Sequence, residues 1–353
     1  MAGAAEVSGE LLYSAIEEEL RSSVRGMLTD LCPPSAVLAR VDGDEPVDLK
    51  LWRVLSKEMG LAGLAVPEEQ GGGGASFREV AVVLEELGRA VAPVPYLGHA
   101  VVATATLLAA GQAALLRDVA VALAVPFSAF AYAPVAEQVS GVADALAADV
   151  LLVPRSDGLY AVPAAETVRE PVVSLDETRR LCDVTIPSGV RGDLVVAGSG
   201  AVAAVEAGLV AGAALLASEQ LGVAQWCLDT TVGYVRERYQ FGRPVGSFQA
   251  VKHRLAEVWV SVAQARAVAR YAASCVASSD PDTAVAASLA QAHCGPVAVA
   301  AAEACIQLHG GIGFTWEHPA HLYLKRAKAS ALALGTADRH RARLAELVDL
   351  PLH

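Results

Sequence analysis

Aromatic residues are scarce in this chain: six Phe, eight Tyr and four Trp make up 5% of 353 residues, while 54% are hydrophobic. The core must therefore be built from Ala, Val and Leu, small side chains that suit closely packed helices. Basic charge is also short, with 27 Lys and Arg against 39 Asp and Glu and a formal net charge of -12. Binding a phosphate backbone needs concentrated cations, so nucleic acid is not an expected partner. The opening M-A-G-A-A-E-V-S-G-E has no basic stretch followed by an apolar one, the pattern of a secretory leader. Nor do the six cysteines (Cys32, Cys182, Cys227, Cys275, Cys294, Cys305) include a C-x-x-C pair. Reduced, buried thiols and a cytoplasmic location follow as expectations.

Long apolar runs are missing too, despite a mean hydropathy of +0.41. The longest, 207–218 and 101–116, contain Gly and are bounded by Glu206, Glu219, Gln112 and Arg117. A spanning helix needs roughly 20 apolar residues, so these read as core helices and no membrane is expected.

What is present falls into three parts. Residues 10–31 and 49–59 read as helices, the first ended by Pro33 and Pro34. Four glycines at 71–74 lack a following G-K-[ST], which favours a flexible turn over a phosphate cradle. Ser76 and Glu79 have the spacing of a capping box, P-V-P at 93–95 breaks that helix, and another is expected over 99–116. From Val121 the apolar residues come in short runs divided by Pro, Gly, Ser and Asp, which reads as β. From Ala201 the pattern is helical again, over about 201–240, 248–276, 283–309 and 318–347, and short connections favour an antiparallel bundle. The expected fold is α+β, mainly α: a helical domain (1–120), a small β-domain (121–198) and a four-helix bundle (199–353).

The organising stretch is R-E-R-Y-Q-F-G-R-P-V-G-S-F-Q at 236–249, where Gly242, Pro244 and Gly246 mark a sharp corner between two helices. It groups Arg238, Phe241 and Gln249: a planar fork of donors, a flat apolar ring and an amide, a set that suits half of a dinucleotide. Equally, Arg238 could offset a helix dipole and Phe241 could be core.

R-x-x-F-G-x-x-x-x-x-F-Q, followed by Q-L-H-G-G-I-G-F-T at 307–315, resembles the acyl-CoA dehydrogenase family. G-L-A-G-L-A-V-P-E-E-Q-G-G-G-G at 60–74 and E-E-L-G-R at 85–89 extend the resemblance over most of the chain. It implies an FAD cofactor and an acyl-CoA substrate, with a glutamate removing the α-proton while the flavin takes a hydride from the β-carbon. The β-domain would cover the flavin ring, yet no T-E-P-x-A-G-S-D-like or K-x-W-I-T-like segment is present, and the domain reads as trimmed on that side. Many members carry the glutamate where Leu334 stands, before Gly335 and Thr336. Others carry it on the first bundle helix, where counting back from Phe241 lands on Gly212. Neither position holds an acid; Glu206 and Glu219 are the possible substitutes, and a structural role is the better reading of Glu219.

In family dimers one subunit holds the ring and the other supplies the adenosine and pyrophosphate contacts. The resemblance assigns those contacts here to Arg238, Phe241, Gln249, Gln307, Gly310 and Gly311, with Thr336 as a further cofactor residue. Glycines at 310 and 311 also fit a helix C-cap. The glutamine expected after the G-T turn is replaced by His340. The combined expectation is a non-catalytic subunit that completes the flavin site of a catalytic partner in an α2β2 assembly. G-F-T-W-E-H-P-A-H-L-Y-L-K-R at 313–326 resembles actinobacterial members acting on steroid side-chain CoA esters. The alternatives are a homo-oligomeric active enzyme with a relocated base and a flavin-free scaffold. No metal site is expected from Glu317, His318 and His321, which lack H-E-x-x-H spacing. G-S-G at 198–200 reads as linker, and His253 and His309 as solvated or hydrogen-bonded structural residues.

Overall fold

A computed structural model of the chain describes residues 11–350 except Asp44, Pro46 and Asp118. The stretch 1–10, read above for a leader pattern, lies outside the described residues. Helix α1 (Ala15–Leu31) begins where Ser14 and Glu17 cap each other reciprocally. Pro33 follows its end, but Pro34 opens a second helix, α2 (Pro34–Val41), that the reading of two helix-ending prolines passed over. Proline at the first position of a helix gives up only an N–H that has no partner there anyway. Helix α3 (Leu49–Arg53) widens into a π turn through Glu58, and α4 (Phe77–Arg89) starts at the expected Ser76–Glu79 capping box. Beyond P-V-P, a wide turn over Leu97–Ala103 runs into α5 (Thr104–Ala109).

The glycine turn is packed rather than flexible. Gly72, Gly73 and Gly74 donate their N–H groups to the carbonyls of Pro67, Gly63 and Val66, and a Cβ on Gly72 would lie 2.1 Å from the Val66 carbonyl oxygen. With its amides committed, the loop is no phosphate cradle.

Two sheets follow. The first has the order β1 (Val121–Leu123), β3 (Val150–Arg155), β4 (Gly158–Pro163), β7 (Asp193–Ala197), with β1 and β3 parallel and the other pairs antiparallel. The second is antiparallel: β2 (Gln138–Ala143), β6 (Leu181–Thr185), β5 (Val168–Pro171). A separate small core of Leu151, Val153, Val162, Cys182, Val184 and Ile186 joins them.

The G-S-G segment is the start of a helix and not a linker: Gly198, at φ 56°, caps α6 (Ser199–Glu237). A short hairpin of β8 (Tyr239–Gln240) and β9 (Arg243–Pro244) turns the chain into α7 (Gln249–Ser278), then α8 (Thr283–His309). The expected fourth helix is two, α9 (Ala320–Ser330) and α10 (Ala337–Leu347). Leu334 at φ 53° and Gly335 at φ 101° lie in the left-handed region, which no helix can pass through.

By length and composition α6 and the stretch Thr283–Phe314 are apolar enough to cross a bilayer, so the apolar runs are longer than their sequence boundaries suggested. Their faces are used inside the fold, where 67% of the most apolar window of α6 is buried. All six cysteines are buried and none is paired in a disulfide.

Candidate functional site

The sequence-derived residues separate to two ends of the bundle. Helices α6 and α8 run side by side in the same direction, and the Tyr234 and His309 rings stack at 4.5 Å where both end. That contact brings the α6–α7 corner, with Arg238, Phe241 and Gln249, to the end of α8, with Gln307, Gly310 and Gly311. All six are exposed.

Phe241 is not core: it is 91% exposed, with φ 56°, at the first turn position of a two-residue hairpin. Turns of that kind favour Asn or Gly there, because Cβ crowds the backbone. Its ring lies edge-on to that of Phe248, with centroids 6.3 Å apart. A large apolar ring held out to solvent on a strained backbone is what a covering ligand or partner would account for. Gly310 also has a left-handed φ of 63°, and side chains added at Gly310 or Gly311 would meet nothing within 4 Å. The glycine backbone after the helix is thus bare, so a ligand can approach it closely. An exposed guanidinium, two side-chain amides and a bare glycine backbone fit the adenosine and pyrophosphate half of FAD.

His309 is buried, with Nδ1 2.7 Å from the Cys305 carbonyl, whereas His253 is exposed. Glu317, His318 and His321 do not converge. His318 Nδ1 accepts the Ala320 N–H, and no grouping of three His, Cys, Asp or Glu suited to a metal occurs among the described residues.

Thr336 lies elsewhere. Its Oγ1 accepts the Arg339 N–H to cap α10, and the preceding Ala331 packs on Gly295 of α8. Fifteen residues of helix separate Gly295 from Gly310, about 20 Å. At this second end the two family base positions meet: a Cβ on Gly212 would lie 2.9 Å from Leu334 Cδ1. Leu334 is buried and occupies the space that a carboxylate at either position would need.

The segment standing in for the missing flavin-wrapping motif folds onto the same place. Leu334 donates its N–H to the Phe127 carbonyl at 2.8 Å. The Phe130 ring lies edge-on to His340 at 4.9 Å and would touch a Cβ on Gly335 at 2.4 Å. A cavity of about 30 Å³ remains, lined by Val102, Phe127, Leu209 and Leu334.

Sequence reading missed Asp144, which also lines that remnant. It sits at φ 60° and accepts the Gly98 N–H at 2.8 Å; burial pushes its carboxyl above the usual range, with Arg179 and the Gly98 amide opposing. A lone acid ending an apolar strand was the only signal available.

The two substitute bases are differently placed. Glu206 is exposed on α6. Glu219 is buried, bonded to Arg179 at 3.0 and 2.5 Å and 3.3 Å from Arg326. Burial by itself would raise its pKa, but Arg179 and Arg326 outweigh it and hold the carboxyl at about 2. Arg326 in turn bonds Asp176 and Thr178, so this network ties the 174–180 loop to α6 and α9.

Residues 14–124 match the N-terminal domain of acyl-CoA dehydrogenases, and 198–348 their C-terminal domain. Acyl-CoA dehydrogenase IpdE2 of Mycobacterium tuberculosis is 39% identical over 320 residues, 89% of this chain and 92% of that one. The chain belongs to the acyl-CoA dehydrogenase family. A steroid acyl-CoA dehydrogenase, Tcur3481-Tcur3483, superposes with a TM-score of 0.81 at 30% identity, covering 95% of this chain and 98% of that one. The ChsE4-ChsE5 complex of M. tuberculosis shares the fold, with a TM-score of 0.85 at 24% identity over 98% of this chain and 100% of that one.

Proposed function

We propose that this chain is the non-catalytic subunit of a heteromeric acyl-CoA dehydrogenase, assembled as α2β2 in the cytoplasm with a catalytic partner. Its Arg238, Gln249 and Gln307 hold the pyrophosphate and adenosine of an FAD whose ring lies in the partner. Phe241 would offer its exposed ring to that nucleotide, and Gly310 and Gly311 would let it approach the backbone. FAD held there would supply the hydride acceptor for α,β-dehydrogenation of an acyl-CoA, a steroid side-chain or other lipid ester. Thr336 belongs to this chain's own vestigial half.

The observation that carries this reading is Leu334 pressed against Gly212 beneath Phe127 and Phe130. Abstracting an α-proton takes a carboxylate beside a seated thioester. A cavity of about 30 Å³ seats no thioester. The complexes among the similar structures agree with a partner subunit.

The test compares the purified chain with the chain co-purified with its partner. Alone, it should hold no stoichiometric FAD and turn over no acyl-CoA; in the complex, Arg238→Ala should lower flavin affinity by roughly tenfold or more, the worth of a charge-assisted hydrogen bond. Full flavin content and turnover by the single chain would overturn the proposal. Indifference of the complex to Arg238→Ala would leave a scaffold.

A further inference from the structure

A cleft of about 850 Å³ lies between the 49–73 segment and the start of the β region. Sites for small organic molecules have volumes of roughly 300–1,000 Å³. Its glycine wall, 71–73, offers no donors, because those amides bond internally. The polar features are side chains of two kinds.

At the floor is His99, 3% exposed, with its ring edge-on to Trp52 at 5.6 Å. Its Nδ1 accepts the Val121 N–H at 3.0 Å, which places the ring proton on Nε2. No described group accepts from Nε2. Burial pushes the pKa down to about 4, Asp149 and the Val121 amide opposing and Lys57 reinforcing it, so the ring stays neutral and its one N–H remains a donor. The ring lines the cleft, so a ligand bound there can supply the acceptor.

At the rim are Arg53, Lys57 and Arg117, all exposed. Asp149 is the one carboxylate among the described lining residues, and its Oδ2 already accepts the Ala120 N–H at 2.8 Å. In a chain of net charge -12, Arg53 and Arg117 at one cleft stand out as a place for an anion. Between floor and rim the wall carries Ala62, Val66 and Leu116 together with Ser56 and Gln70, and Leu49, 61% exposed, stands at the mouth.

The geometry points to a second ligand site here, for an amphipathic anion: an apolar, ring-sized body against Trp52, an oxygen acceptor reaching His99 Nε2–H, and a carboxylate or phosphate between Arg53 and Arg117. The site is independent of the flavin-sharing proposal. It needs neither the partner nor FAD.

Titrating the full chain with 1-pyrenebutyrate, while following tryptophan emission, tests it. Saturable energy transfer is expected, and reduced in Trp52→Phe. Arg117→Glu, a surface change that should leave the fold intact, should weaken binding at least about tenfold, because it replaces an attractive fork with a repulsive charge. 1-Pyrenebutanol, the same body without the anion, should bind at least about tenfold more weakly for the same reason. Inorganic phosphate should not displace the dye. Equal binding of acid and alcohol, no effect of Arg117→Glu, unsaturable quenching, or displacement by phosphate alone would each overturn the site.

Discussion

Phe241 shows how a single residue can be wrong for stability and right for a site. A non-glycine residue at a left-handed φ costs roughly 1 kcal/mol. Phe241→Asn should therefore raise the unfolding free energy of the isolated chain by up to about 1 kcal/mol, measured by urea denaturation. The same change should reduce flavin retention in the complex. Glu219 is the opposite case. Glu219→Gln leaves Arg179 and Arg326 buried with less compensation, and breaking such a buried pair costs about 3–5 kcal/mol, readable in the same assay. His99 adds a pH dependence. Its folded pKa of about 4 lies below the ordinary 6.5, so on acidification the unfolded chain takes up the proton first. The stability is present in full above pH 6.5 and is lost as pH falls toward 4, by about 2 kcal/mol between pH 7 and 5. Unfolding at those two pH values should show that loss, and His99→Gln should flatten it.

At the scale of elements, the bundle is set by close approach. Gly88 of α4 and Gly222 of α6 face each other's helices, where a Cβ would lie 2.1 Å from the Glu219 carbonyl oxygen or 1.9 Å from that of Glu85. Alanine is favoured over glycine in a helix by about 1 kcal/mol. Gly222→Ala should nevertheless destabilise the protein, by about 1–3 kcal/mol net, because α4 must move away; thermal unfolding would show it. The helices were legible from sequence wherever local chemistry sets a boundary, as at the Ser76–Glu79 cap and the Gly242–Gly246 corner. They were not legible where a contact with a distant segment decides, as in the break at 331–336. There Leu334 bonds Phe127, some 200 residues away in sequence.

For the whole molecule, one large core runs through both helical parts and a smaller one lies between the sheets. Phe241, Phe314 and Trp316, all more than 70% exposed, lie outside both, at the bundle end that carries the nucleotide residues. Buried by a partner, such residues would sit at the centre of an interface. Phe314→Asp should leave the monomer folded and weaken assembly with the catalytic subunit by about tenfold or more, measured by sedimentation. The family, the order helices–sheets–bundle and the residues of the corner are properties of local spacing, and the sequence by itself determined them. Whether Leu334 and Gly212 are two vacant positions or one filled space depends on where α6 and the 334–336 turn meet. Only the tertiary structure decided that, because the contact joins segments with no sequence relation and depends on side-chain volume.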